Sequence, residues 1–233
     1  MRLTDLTLTL RELYNKGFVP TLRANSTGVG YTLEHYLGVN ENNLPIPDIG
    51  GRTEVKATRI TSTSLITLFT FNKGVWQFDQ KEVLNRFGYK DAKGRQALKS
   101  TVNAVEENAQ GFKLTVDESE HTVALIHVPS EVLVAKWSIW NLVGKFLGKF
   151  ERMLFVRAKS RKIHNTEEFH YIEASILSEP DVETFLSAMQ HGVCMIDIRM
   201  HLNEKGGVRN RGTAIRVREA DITRLFSKRM PLL

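Results

Sequence analysis

A chain of 233 residues can bury a full core as one large domain or two small lobes, and nothing in it suggests a third. With Lys+Arg 32 against Asp+Glu 26 it carries a formal charge of +6, which permits a polyanionic partner without requiring one. The single Cys194, set among Val193, Met195 and Ile196, excludes an internal disulfide and any cysteine-rich zinc site, and reads as a buried, inert thiol. The opening Met-Arg-Leu-Thr-Asp lacks the apolar core of a signal peptide, and no apolar run approaches membrane-spanning length. These features lead us to expect a soluble protein of a reducing cytoplasm, with no membrane partner.

Leu6, Leu10, Leu13 and Tyr14 recur at helical spacing up to Gly17, although Leu6-Thr-Leu-Thr-Leu10 also alternates as a strand would; we read a helix. Residues 23–30 form a small-residue loop, followed by a helix from about Tyr31 to Leu37 that carries Glu34 and stops at Gly38. Gly28-Val29-Gly30 lacks the rest of either nucleotide-binding fingerprint, so no nucleotide site is inferred.

The stretch Pro45-Ile-Pro-Asp-Ile-Gly-Gly-Arg-Thr-Glu-Val-Lys-Ala-Thr-Arg59 carries the chemistry. Side chains two apart in a strand share a face, so Glu54 and Lys56 point the same way while Val55 faces the core, and a tight glycine turn brings Asp48 back towards them. Two carboxylates suit a hard cation such as Mg²⁺, which takes few protein oxygens, and a neighbouring ammonium can serve the attacking water and offset phosphate charge. A charged chain also produces such a pattern by accident, and two other acid-X-Lys triplets let the signal be weighed. Asp79-Gln-Lys81 reads as a helix N-cap and Asp91-Ala-Lys93-Gly94 as a polar turn. Spacing alone still leaves two readings of Glu54-Val-Lys56, a cation site or a solvated edge strand with an ion pair.

Further along, Ser64 to Phe71 predicts a strand beside the Glu54 strand, Asp79 to Phe87 a helix, and Tyr89 to Lys99 a surface excursion. Strands are expected at Phe112 to Val116 and Thr122 to Val128. Trp137, Trp140, Leu142, Val143, Phe146, Leu147 and Phe150 suggest one apolar helical face. Met153 to Ala158 and Phe169 to Leu177 read as strands joined by the basic hairpin Lys159-Ser-Arg-Lys162. Ser178 and Pro180 open a helix running to His191. Val193 to Met200 and Thr213 to Val217 predict strands, and Glu219 to Phe226 a closing helix. Elements mix without strict βαβ alternation, so the expected class is α/β in the α+β sense, a mixed sheet flanked by helices.

Between the last two strands lies a basic loop, His201 to Gly212, bracketed by Arg199 and Arg216. Guanidinium groups can take guanine O6 and N7 bidentately or grip phosphate, and the alternative is a solvated hairpin.

Thr27-Gly-Val-Gly-Tyr-Thr-Leu-Glu34, Glu41-Asn-Asn-Leu44, Pro47-Asp48 to Glu54-Val-Lys56, Ser64 to Thr70, Asn85-Arg-Phe-Gly-Tyr89, Asp197-Ile-Arg199 and Arg211-Gly-Thr-Ala-Ile-Arg216 together carry a specific likeness. In order and spacing the chain resembles the MvaI/BcnI family of type II restriction endonucleases, relatives of the mismatch-repair nicking enzyme MutH. The resemblance implies a restriction-endonuclease-like PD-(D/E)XK core with a DNA-recognition lobe, acting as a monomer on double-stranded DNA at short targets of the form CC, one central pair, GG. It implies Mg²⁺ as cofactor, with Asp48, Glu54 and Val55 as the metal set, Lys56 serving the water and Glu34 supporting the site. It further implies that Arg199 and Arg216 read guanines with Asp197 nearby, that Arg209 and Arg211 lie on the groove-facing loop, and that Thr70 and Ala214 lean the central pair towards A or T. The spacer after Asp48 is one residue longer than in relatives, so the turn must bulge. The implied lobes are a catalytic one of roughly 1–135 with contributions from 150–180 and a recognition one of roughly 185–220. A cognate DNA methyltransferase in the same host is implied as well. The rivals are a MutH-like strand-nicking repair endonuclease and a non-catalytic DNA-binding module.

Overall fold

The computed structural model of the chain describes residues 2–40 and 46–233, so Pro45 and the stretch 41–44 that contributed to the motifs lie outside the described residues. The first amphipathic stretch is helical: α1 (Leu3–Lys16) buries Leu6, Leu10 and Leu13 along one stripe, and Gly17 leaves it at φ 72°. A strand would have set Leu6, Leu8 and Leu10 on one face and Leu13 on the other, whereas the helix buries Leu6, Leu10 and Leu13 and leaves Leu8 59% exposed. After β1 (Val19–Pro20), α2 (Gly28–Tyr36) begins three residues before the expected Tyr31. Gly28 allows this, because a Cβ there would stand 2.4 Å from the Arg23 carbonyl oxygen. Next come β2 (Thr53–Arg59), β3 (Leu65–Thr70) and α3 (Gln80–Phe87). The carboxylate of Asp79 caps α3 by accepting the Lys81 N–H at 2.8 Å, as the sequence anticipated.

The middle of the chain departs from expectation. The excursion at Tyr89 to Lys99 contains β4 (Tyr89–Lys90), a tight turn over Asp91–Gly94, and the start of β5 (Gln96–Val102), whose Ala97, Leu98, Ser100 and Val102 are buried. Then follow β6 (Phe112–Asp117), β7 (Thr122–His127) and β8 (Val132–Ser138) before α4 (Ile139–Lys149). Trp137 therefore belongs to a strand, fully buried with its indole N–H donating to the Phe71 carbonyl at 3.1 Å, while Trp140 on α4 is 64% exposed. The tryptophans belong to two elements, and a single apolar face over 137–150 does not exist.

The chain continues with β9 (Arg152–Ile163) and β10 (Thr166–Pro180), a long hairpin turned by His164 and Asn165 at φ 45° and 69°. Lys159 to Lys162 lie within β9 instead of forming the turn, and β10 extends through Ser178 and Pro180. The next helix is α5 (Val182–Gln190), then β11 (Cys194–Leu202), β12 (Val208–Asn210) and β13 (Ala214–Arg218). Glu219–Leu225 is a 3-10 segment, and a strand that the sequence did not announce, β14 (Phe226–Pro231), closes the chain's regular structure.

Two compact units result. The first comprises Met1–Ser64, Leu147–Asp181 and Ile222–Leu233 and holds a sheet in the order β1-β10-β9-β2, with β14 paired to β10. Helices α1 and α2 pack on this sheet through Leu10, Leu13, Val29 and Leu33 against Val55, Leu154, Val156, Phe169 and Tyr171. The Tyr171 hydroxyl, buried, donates to the Val29 carbonyl at 2.8 Å; burial pushes its pKa well above the ordinary phenol value. Arg59 grips Glu167 at 2.6 and 2.7 Å and the carbonyls of Asn25 and Ser26, fixing the loop before α2.

The second unit comprises Leu65–Phe146 and Val182–Asp221, so residues 65–135, grouped above with the opening residues, pack here. It contains a sheet in the order β3-β13-β11-β5-β4, with β12 on β11, and a three-stranded sheet β6-β7-β8. Strand β3 forms where expected but has a different neighbour: it pairs with β13, whereas β2 pairs in parallel with β9. A connection of only five residues between β2 and β3 could have made a hairpin, but each strand's apolar face is buried in a different core. The Phe146 and Phe185 rings stack at 4.5 Å in the second core, and Cys194, also buried there, has its thiol pKa pushed up to about 12 by desolvation. The mixed, helix-flanked α+β class stands.

Candidate active site and nucleic-acid interface

In the first unit the acidic motif is built on a turn and an edge strand. Gly50 and Gly51 take φ 59° and 69°, so that the Ile49 N–H reaches the Thr53 carbonyl at 2.9 Å and closes the loop between Asp48 and β2. No side chain would crowd a Cβ at either position; the positive φ is what requires glycine. The turn returns Asp48 to the strand, where its Oδ2 accepts the Val55 N–H at 2.8 Å. Val55 is 3% exposed in the apolar core, and Glu54 and Lys56 share the other face as alternation predicted, with Lys56 Nζ donating to Glu54 Oε1 at 2.5 Å.

Although β2 is an edge strand, it is not a solvated one. Glu54 is 2% exposed. A second ammonium, Lys149 Nζ at the end of α4, lies 3.1 Å from the same Oε1, while Oε2 is buried with no hydrogen-bond partner. A buried carboxylate oxygen left bare costs about 1–3 kcal/mol or more, so such a group calls for a missing partner. A divalent cation fits that description: the free Oε2 and Asp48 offer hard oxygen ligands, and Mg²⁺ takes few such ligands from protein. Among the described residues no group of three or more His, Cys, Asp or Glu side chains is gathered as a metal cage. Glu34, on α2, lines a cavity of about 250 Å³ together with Val55, Lys56, Gly30, Ser26 and Thr27. Sequence reasoning missed Lys149, because a lysine closing a helix carries no signal of its distant partner.

In the second unit a different acid gathers different cations. Across the sheet, Thr101, Asp197, Ala214 and Thr70 occupy one row on β5, β11, β13 and β3, and Lys99 and Arg199 pair in the next. Asp197 is 7% exposed; its Oδ1 accepts the Thr101 hydroxyl at 3.2 Å and its Oδ2 accepts Arg216 at 2.8 Å. Arg199 Nε stands 3.6 Å from that Oδ2 as an ion pair, and Arg216 also donates to the Leu65 carbonyl at 2.5 Å. The Nε atoms of Arg199 and Arg216 are buried without hydrogen bonds. Two guanidinium groups are thus held on one face by a carboxylate, with further donors to spare.

Arg209 sits on β12, paired with His201, so that part of the basic loop is strand, and the Arg211 N–H donates to the Arg199 carbonyl at 3.0 Å. His201 is 8% exposed and its pKa is lowered, first by burial and then by Arg95, Lys99, Arg209 and Arg211. At Gly212, φ 98°, a Cβ would stand 2.9 Å from the Thr70 Cγ2, so glycine lets the loop pass tightly over Thr70. The placing of Lys99 and Thr101 beside Arg199 and Asp197 was missed because Gln96–Val102 was not recognised as a strand: Lys99 was read as the end of a surface excursion, and Thr101 lies just past it.

The fold is shared by solved structures of known proteins. A solved structure titled as the restriction endonuclease MvaI–cognate DNA substrate complex is similar at TM-score 0.83 and 23% identity, over 100% of both chains. A second, MvaI in the absence of DNA, gives TM-score 0.59 and 22% identity over 99% of this chain and 97% of that one. Among curated proteins none matches. No described helix is long and apolar enough to cross a membrane. The family model for the MvaI/BcnI restriction endonuclease family matches residues 8–226, and the chain therefore belongs to that family of site-specific deoxyribonucleases.

Proposed function

We propose that this enzyme hydrolyses phosphodiesters of double-stranded DNA in a Mg²⁺-dependent reaction, at a short CCNGG-type pseudopalindrome that leans to CCWGG. The observation that carries the reading is Glu54: buried, tethered by ammonium groups at one oxygen and bare at the other, beside Asp48 anchored on the Val55 N–H. Asp48 and Glu54 would hold the cation, with Val55 in the set through its backbone. A bound Mg²⁺ supplies charge stabilisation for the phosphate and lowers the cost of deprotonating water. Lys56 keeps its ammonium against Glu54 and beside the small cavity that Glu34 lines, which suits it to orient the attacking water and offset charge on the phosphate. As the water oxygen bonds to phosphorus, one bridging P–O bond breaks and the departing oxygen takes up a proton.

For recognition, Arg199 and Arg216 are suited to take guanine edges because Asp197 and the Leu65 carbonyl occupy only part of each available fork. Arg209, Arg211 and Thr70 border the same sheet face and would complete the DNA contact. The similar structure titled as a cognate DNA complex supports DNA as the partner. The enzyme would act as a cytoplasmic monomer, beside a DNA methyltransferase that protects the host's own sites.

The test is digestion of unmethylated phage DNA with Mg²⁺ or with EDTA, followed by sequencing of fragment ends. Discrete bands with CCNGG at every end, lost in EDTA, are expected. Nicks confined to one strand and dependent on an added partner would favour the repair nickase, and sequence-specific binding with intact DNA the non-catalytic module.

A further inference from the structure

Glu54 is served by two lysines, and only one belongs to the motif. Lys149 reaches it because the chain leaves α4 and enters β9 within three residues: Phe150 is fully buried, Arg152 pairs with Thr53, and Met153 pairs with Glu54. The ammonium is therefore delivered by backbone register and does not depend on a chance surface encounter. Both lysines use Oε1, at 2.5 and 3.1 Å, and neither uses Oε2. Counted formally, Asp48 and Glu54 are balanced by Lys56 and Lys149, and Glu34 and Arg23, which both line the neighbouring cavity, add one charge of each sign, so the site carries no surplus negative charge to draw in a cation. One lysine would have sufficed to hold the carboxylate. The second weakens the site for a divalent ion, since like charges a few ångströms apart in a partly buried pocket repel strongly.

We propose that Lys149 is a positioning residue that acts through Glu54 and tunes cation binding. It holds the carboxylate through Oε1, leaves the buried Oε2 unengaged, and lowers affinity for the free ion, so that the negative charge of a DNA phosphate is needed to complete the site. This rests on the reading of Asp48 and Glu54 as the cation ligands. The consequence is a linkage: cation and DNA each raise the other's affinity, and the enzyme stays idle until both are present.

Calorimetric titration with Ca²⁺, of the free protein and of its complex with a CCWGG duplex, tests this. Lys149→Met should bind Ca²⁺ about 10-fold tighter than wild type without DNA, because one neighbouring positive charge has gone. The gain in Ca²⁺ affinity on adding DNA should shrink correspondingly, and Lys149→Arg should restore wild-type values in both. A merely structural lysine would not tighten binding when removed. Equal or weaker Ca²⁺ binding by Lys149→Met, with binding still abolished in Asp48→Ala, would overturn the inference while leaving the cation site standing. Wild-type Ca²⁺ binding that is indifferent to Asp48→Ala overturns the cation site itself, and this inference with it. Should Lys149→Met lose its cooperative melt, Lys149→Gln carries the same expectation in the same titration.

Discussion

In each unit a carboxylate buried on a sheet has two cations set upon it, but the kind of cation differs. Glu54 holds two lysines at a single oxygen and leaves the other bare; Asp197 has both oxygens engaged, by Thr101 at one and by Arg216 with Arg199 at the other. An ammonium is a compact point charge, so two of them can crowd one oxygen and leave the acid able to accept something more. A guanidinium is a planar fork, so an acid that grips one edge fixes the orientation of the remaining donors. The first arrangement suits an incoming cation, the second an incoming acceptor such as a base edge. The same anion–cation inventory thus reads as two chemistries once the unpaired atoms are counted.

The comparison can be broken most sharply at the first acid. Lys56→Ala and Asp48→Ala should each cut the rate of plasmid cleavage by at least about 100-fold, the scale of losing a preorganised charge at a phosphate centre. Specific binding to a CCWGG duplex should survive in a gel-shift assay, in Asp48→Ala without the gain in affinity that Ca²⁺ gives the wild type. Retained cutting would remove these residues from the chemistry.

At the second acid the loss should appear in discrimination. Arg216→Ala is expected to cost about 1–3 kcal/mol of binding to the cognate duplex and little on a duplex with that guanine replaced, as for a bidentate base contact. Equal weakening on both duplexes, in parallel fluorescence titrations, makes Arg216 a phosphate contact instead. Thr101→Val removes only the hydroxyl that Asp197 Oδ1 accepts at 3.2 Å, and about 1.5 kcal/mol is expected, the low end for a bond to a charged group. That loss should show as a lower urea midpoint and a modest fall in cognate preference, with the catalytic rate at saturating DNA unchanged.

The smallest effect concerns His201. Its folded-state pKa lies below the ordinary 6.5, so the fold prefers the neutral ring. Stability from this source is complete above 6.5 and is lost as pH falls below that value, because the unfolded chain then binds the proton more readily. Between pH 7.5 and 5, wild type should lose more of its urea midpoint than His201→Gln does; equal slopes would show that the ring does not titrate against the surrounding arginines and Lys99.

Local chemistry was legible wherever one residue and its near neighbours settle the outcome. The α1 stripe, the Asp79 cap, the Asp91–Gly94 turn and the alternation of Glu54, Val55 and Lys56 depend on dihedral preference and spacing of a few residues, and sequence carries both. Motif spacing also pointed to the family, which the match over residues 8–226 bears out.

What sequence could not supply was who lies beside whom. Strand β2 takes β9 from about a hundred residues away as its parallel neighbour, while β3 goes to the other unit's sheet; apolar runs announce that a strand will be buried and not against which partner. The boundary between β8 and α4 hid inside one aromatic-rich stretch because Trp137 and Trp140 look alike until one is packed and the other left in water. Composition and spacing by themselves singled out the candidate acids and arginines and determined the family. Tertiary structure alone brought Lys149 to Glu54 and Thr101 to Asp197, since a contact across ninety or more residues is fixed by the joint burial of many side chains and by no local preference.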